Sequence, residues 1–194
     1  MGHGANNDIA EDRGVPDRGK KAGFTLVELI IVIIITGIVA ALAIPQFVSS
    51  TRDAQEATLA GDLAVMRNAI NLYYHQHGST YPGTVKTDGS VYPTADADNP
   101  AAFVHQLTQY TDRAGKTSAT LDRTNFPFGP YLMRGIPSNP LAASGAIANG
   151  VRVTADTGPL VADEGAPPGD YLMGWKYSKV TGEIIANVPA YQNW

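Results

Sequence analysis

The sequence predicts an α+β fold. A long N-terminal helix spans a membrane with its first half, and a C-terminal head holds a short helix and a small antiparallel sheet. Three observations carry this. Residues Phe24 to Ile44 form an apolar run broken only by Thr25, Glu28, Thr36 and Gly37. The proline-free stretch from Gln46 to His77 spaces its apolar residues for a helix. Near the C-terminus, two apolar and aromatic stretches flank Thr181-Gly182. Helix first and strands last is an α+β order.

The apolar run comes first in the chain. As a helix, the segment Phe24 to Ile44 rises about 31 Å, one hydrocarbon thickness. Within it Glu28 is the single carboxylate. An unpaired acid costs roughly 2.5–3.5 kcal/mol at the centre of a membrane span, so a partner and a role are expected for it.

The flanking residues make the segment specific. Lys20, Lys21, Ala22 and Gly23, then Phe24, Thr25, Leu26, Val27 and Glu28, with Pro45 beyond, resemble the type III signal of the type IV pilin superfamily. That superfamily includes pilus subunits and the pseudopilins of type II secretion. The resemblance covers about fifty residues. It implies that a prepilin peptidase cuts after Gly23 and that the new N-terminal residue, Phe24, is N-methylated. It makes Glu28 an assembly determinant and Pro45 the site of a helix kink. The implied partners are a homopolymer with related pilins and pseudopilins, the prepilin peptidase, an inner-membrane assembly platform and the lipid bilayer. The physical reading agrees. After cleavage Phe24 carries an amino group one helical turn from Glu28. The carboxylate can pair with it inside one subunit, or with the amino group of a neighbour in a filament. Either pairing offsets burial, and removing one partner strands the other.

Composition bounds the alternatives. The 194 residues suffice for one globular domain beyond the membrane helix, and the formal net charge is −4. No basic stripe with interleaved aromatics appears, so no nucleic-acid binding is indicated. There is no cysteine, which excludes disulfides and thiol chemistry and departs from the many pilus subunits whose C-terminal loop is closed by a disulfide. Residues 1–23 read as a polar cytoplasmic leader, and Arg18, Lys20 and Lys21 favour keeping that end inside. The precursor is then a single-pass inner-membrane protein with a cytoplasmic N-terminus, and the product a periplasmic or extracellular filament. Two other readings stand beside the pseudopilin-like one. The first is a type IV pilus subunit for adhesion, motility or DNA uptake. The second is a soluble binding domain secreted after signal-peptidase cleavage at Ala41-Leu42-Ala43, which leaves Glu28 unexplained.

Residues 46–78 continue the helix beyond the membrane segment 24–45. Leu59, Leu63, Met66, Ile70, Tyr73 and His77 alternate steps of four and three, which places them on one face toward a core. Arg52, Asp53, Glu56, Asp62 and Arg67 fall largely elsewhere. Gly78 is a natural stop. The head is residues 79–194. A polar loop leads to a second helix capped by Asp98 or Asn99, with Pro100 in its first turn and Phe103, Leu107 and Tyr110 on one face. Residues 115–150 read as irregular. Strands are expected at Val151–Thr154, Tyr171–Val180 and Glu183–Val188, the last two joined by a tight turn at Thr181-Gly182. Gly129-Pro130-Tyr131-Leu132 with Ile136–Leu141, and Gly174-Trp175-Lys176-Tyr177 with Thr181–Ile184 and Ala186-Asn187, resemble the pre-sheet loop and terminal hairpin of major pseudopilins.

No enzyme is indicated: the sequence has neither a Gly-rich phosphate loop nor a Gly-x-Ser-x-Gly elbow. His75 and His77 are two apart on a helix and point to different faces, so they do not form a helical metal site. One ligand remains. Major pseudopilins bind calcium in a C-terminal loop, and that resemblance implies calcium at Asp156, Asp163, Glu164 and Asp170, which supply hard oxygen ligands before the hairpin. The family's Asp/Gly-rich acidic segment is not recognisable after Gly174, and the bland reading of these acids is that they solvate a loop. No other cofactor is expected.

Overall fold

The computed structural model describes residues 1–2, 23–91, 100–165 and 172–194. Most of the leader, the expected caps Asp98 and Asn99, and Asp170 and Tyr171 lie outside the described residues. The elements are α1 (Leu26–Gln76), α2 (Pro100–Thr108), β1 (Tyr110–Thr111), β2 (Thr117–Ser118), β3 (Ile147–Thr154), β4 (Met173–Ser178), β5 (Ile184–Ala186) and a 3-10 turn (Pro189–Tyr191). The chain divides into two compact units, Met1–Gln46 and Phe47–Trp194, and α1 contributes to both.

In the first unit α1 presents its apolar side chains outward all round. Leu29, Ile31, Ile33, Leu42 and Ile44 are all exposed, Leu42 by 75 %. Among the described residues α1 is the one helix long and apolar enough to cross a membrane. The hydroxyl of Thr36 donates to the Val32 carbonyl at 2.7 Å. Its polar group is therefore satisfied within the helix, which lets threonine sit in an apolar setting. The helix is continuous through Pro45.

In the second unit the apolar stripe of α1 builds the core. Leu59, Leu63, Met66, Ile70, Tyr73 and His77 are all at most 4 % exposed. The first five pack with Phe103 and Leu107 of α2, Val151 and Val153 of β3, Trp175 and Tyr177 of β4, and Ile184 and Ala186 of β5. Burying side chains of this size stabilises by about 1.5–3 kcal/mol each, which makes this cluster the main support of the head. Phe103 meets Tyr177 with ring centroids 4.3 Å apart. Helix α1 ends where glycine permits: Gly78 has φ +62° and the Ser79 amide reaches back to the Tyr74 carbonyl at 3.0 Å, a Schellman closure.

His77 closes the stripe as a hydrogen-bonded core residue. Its ring stacks on Tyr73 at 3.7 Å. Nδ1 lies 2.8 Å from the Tyr73 carbonyl oxygen, which can only accept, so Nδ1 carries the proton. Nε2 then accepts from the Thr111 hydroxyl at 3.0 Å. Burial pushes the pKa of the ring down, against the opposing pull of the Tyr73 carbonyl and of Asp112.

Helix α2 buries Phe103 and Leu107 as expected, but Tyr110 leaves the helix and begins β1. Strand β1 pairs antiparallel with β2, which lies inside the stretch 115–150 expected to be irregular. The α+β class stands, and β4 pairs antiparallel with β5. Strand β3 begins at Ile147, four residues before the expected Val151, and joins β4 in parallel, so the three-stranded sheet is mixed. The hairpin is wider than a two-residue turn. Strand β4 ends at Ser178 and β5 begins at Ile184, because the Ser178 hydroxyl accepts from the amides of Val180 and Thr181 and closes a longer loop. Gly182 in that loop has φ +74°, and a Cβ there would run into the Tyr81 ring.

Candidate functional site at the start of the membrane helix

The start of α1 is a capping box. Thr25 is the N-cap and Glu28 the third helical residue. The Glu28 amide donates to Thr25 Oγ1 at 3.2 Å. In return Glu28 Oε2 accepts from the Thr25 amide at 3.2 Å and from the Thr25 hydroxyl at 3.1 Å. The carboxylate also lies at the positive end of the helix dipole, where negative charge is favoured. Glu28 is thus satisfied locally in the uncleaved chain. Thr25-x-x-Glu28 is the sequence signature of this arrangement, and a reading centred on membrane cost passes over it.

Gly23 and Phe24 precede the cap. Phe24 is 87 % exposed, and a Cβ built on Gly23 would meet nothing within 4 Å. A side chain at residue 23 therefore offends nothing in this chain, and any demand for a small residue must come from an enzyme that grips it. The Phe24 nitrogen belongs to the residue adjoining Thr25, whose own amide already touches Glu28. Cleavage before Phe24 would turn that nitrogen into a charged amine one residue from the cap.

The expected calcium ligands behave differently. Asp163 is held by protein cations: Oδ1 lies 2.8 Å from Lys176 Nζ and Oδ2 lies 3.0 Å from Arg152 Nε. Asn187 adds a bond to Oδ2 at 3.0 Å. Burial raises the pKa of this carboxyl, but Lys176, Asn187 and Arg152 together outweigh burial and hold it below the usual aspartate value. Asp156 and Glu164 are exposed. Among the described residues no three His, Asp or Glu side chains come together to hold a metal ion.

Three further groups hold the head together and carry no periodic signal. The Tyr191 hydroxyl donates to Glu56 at 2.7 Å and accepts from Arg52 at 2.9 Å. Arg67 donates to the Ile184 carbonyl at 3.3 Å. The fully buried Gln106 accepts from the Gly83 amide at 2.7 Å and donates to the Gly115 carbonyl at 2.9 Å. Arg52, Glu56 and Arg67 lie on α1 and Gln106 on α2, and of their partners Tyr191, Ile184 and Gly83 are remote in sequence.

Comparison with known proteins converges on the same segment. Residues 18–44 match the family model described as the prokaryotic N-terminal methylation motif. The chain is 32 % identical over 77 residues to type II secretion system core protein G of Vibrio cholerae, covering 40 % of this chain and 44 % of that protein. It is 27 % identical over 121 residues to the protein of the same name from Klebsiella pneumoniae, covering 62 % and 69 %. The match thus spans less than half of the length of the Vibrio relative. No solved structure matches. A pilus protein, the type IV narrow pilus major component PilA5 of Thermus thermophilus, is 31 % identical over 110 residues, 53 % of this chain and 95 % of its own length. With nearly the whole of a pilin covered and the methylation motif at the head of the same helix, this chain belongs to the type IV pilin superfamily, which takes in both pilus subunits and secretion pseudopilins.

Proposed function

We propose that this chain is a structural, non-catalytic subunit of a pilin-like filament, a pseudopilin of a type II secretion-like system, drawn from a pool in the inner membrane. The observation that carries this is the start of α1: a capped carboxylate at the head of a helix whose apolar side chains are exposed on every face. Lipid covers such a helix in the precursor, and neighbouring copies or related pilins cover it in a polymer. The prepilin peptidase would cut between Gly23 and Phe24 and methylate Phe24, an assembly platform in the membrane would pass subunits onward, and Pro45 would set a kink in the helix. Glu28 would exchange its local cap for the amino group of a neighbour.

A pilus subunit is the second reading, favoured by the 95 % coverage of the Thermus pilus component. Loss of exported enzymes on deletion supports the secretion reading; loss of surface pili supports the pilus reading.

The processing test is mass spectrometry of the mature chain. It should begin at N-methylated Phe24. Replacing Gly23 by leucine should leave uncut precursor in the membrane, through the peptidase's grip rather than the chain, which leaves space for a Cβ there. A mature chain beginning at Ile44 would refute the proposal and point to ordinary signal-peptidase release.

A further inference from the structure

Calcium fits the described residues of this head poorly, and the reason is chemical. Residues 160–163 run as a strap beside β5 and the 3-10 turn. Three successive contacts fasten its backbone: the Leu160 amide donates to Glu183 Oε2 at 2.9 Å, the Ala162 amide to Gln192 Oε1 at 2.8 Å, and the Asp163 amide to Asn187 Oδ1 at 2.7 Å. Lys176 takes the Val161 carbonyl at 2.8 Å and Asp163 Oδ1 at the same distance. Leu160 and Ala162 pack on Ile185 in a small apolar cluster of their own.

These are the oxygens that a hard cation would need. Each of those named already faces an internal donor. The charge balance points the same way: one carboxylate, Asp163, sits between two fixed cations, Arg152 and Lys176. Among the described residues, a divalent ion entering beside Asp163 would meet two positive groups and that single negative one. Asp156 and Glu164 do not gather around Asp163.

We propose that this head is fastened by an internal cation pair in the place where a calcium ion would be expected: Lys176 and Arg152 hold Asp163, and through it the strap 160–163 on the sheet. The head then folds and persists without a divalent ion, and its strap responds to monovalent salt and to charge at residues 152, 163 and 176. This does not depend on whether the filament serves secretion or forms a pilus.

The test uses the full chain in detergent micelles. Thermal melting is followed by near-ultraviolet circular dichroism, once with excess calcium and once with chelator. The two melting temperatures should coincide, and equilibrium dialysis against calcium alone should find no bound ion. Lys176→Met, which keeps the apolar stem and removes the charge, should melt several degrees lower in both conditions. Lys176→Arg should recover most of the loss. Hydrogen exchange at the Leu160, Ala162 and Asp163 amides should quicken in high sodium chloride, a measurement on the unaltered chain that stands even if Lys176→Met does not fold. Calcium that binds or raises the melting temperature, or strap amides indifferent to salt, would overturn the proposal.

Discussion

Replacing Glu28 by glutamine and by alanine separates two things that its carboxylate can do. In the uncleaved chain Oε2 accepts from the Thr25 amide and hydroxyl at 3.2 Å and 3.1 Å. A glutamine side-chain carbonyl accepts the same two bonds, so Glu28→Gln keeps the cap and removes the charge. Alanine removes both. The contacts are long, which places the cap near about 1 kcal/mol. Against that, a buried acid costs about 2.5–3.5 kcal/mol at mid-span, an upper bound for a residue on the first turn. Even half of that penalty exceeds the loss of the cap, so the alanine precursor should insert at least as well as the wild type and be cut normally. Assembly is different. A carboxylate and an ammonium 4 Å apart attract by about 4 kcal/mol at an effective dielectric constant of about 20. Both variants lose that attraction. Since about 1.4 kcal/mol is tenfold, filament yield should fall at least tenfold for glutamine and alanine alike. The assay compares membrane-fraction protein, the mass of the mature N-terminus, and filaments sheared from cells. A glutamine variant that assembles at wild-type yield would refute the charge argument and transfer the role to the helix cap.

Two further predictions concern the head. His77 is bound as the neutral ring and its pKa is lowered by burial, so the unfolded chain takes up the proton first as pH falls. Stability should be full above the ordinary histidine pKa of about 6.5 and decline below it toward the lowered folded value; His77→Phe should remove that dependence while costing about 1–3 kcal/mol for the stranded Thr111 and Tyr73 groups, both read from denaturation midpoints across pH. Gly174→Ala should lower the denaturation midpoint by the equivalent of about 1–3 kcal/mol, because the new methyl collides with the Ala148 carbonyl across the β3–β4 pair; a neutral result would mean that those strands do not pair there.

What the sequence makes legible follows the range of the interaction. The six-residue stripe on α1 is periodic, and all six residues are buried. Helix α2 is announced by Pro100 and by Phe103 and Leu107, but Tyr110 also satisfies the helical spacing while its backbone pairs with Ser118. Strand β3 is obscure because its first half, Ile147-Ala148-Asn149-Gly150, has little β character, and its partner is a parallel strand across a long connection. The strap is obscure for a related reason. Asp163 looks like a solvated acid or a metal ligand until Arg152 and Lys176 are brought beside it, and nothing local in the chain says that they will be. Among the N-terminal residues, the Thr25 and Glu28 pair is fully written in the sequence, since a cap involves only neighbours. The N-methylation of Phe24 and the role of Glu28 in assembly involve other molecules, so no contact within the chain writes them.

The long reach of the head's contacts bears on how such a protein is made. The α1 stripe leaves the ribosome well before Trp175, Tyr177, Ile184 and Tyr191, which pack with it. The Tyr191 hydroxyl bonds to a residue 135 positions earlier. Contacts of such sequence separation close slowly, after the entropy of a large loop has been lost. The core of the head therefore cannot close until β4, β5 and Tyr191 have been added. If the head crosses a membrane as proposed above, a translocation channel would meet an open chain that it can thread, and the core would close only once β4 and β5 had followed α1 across.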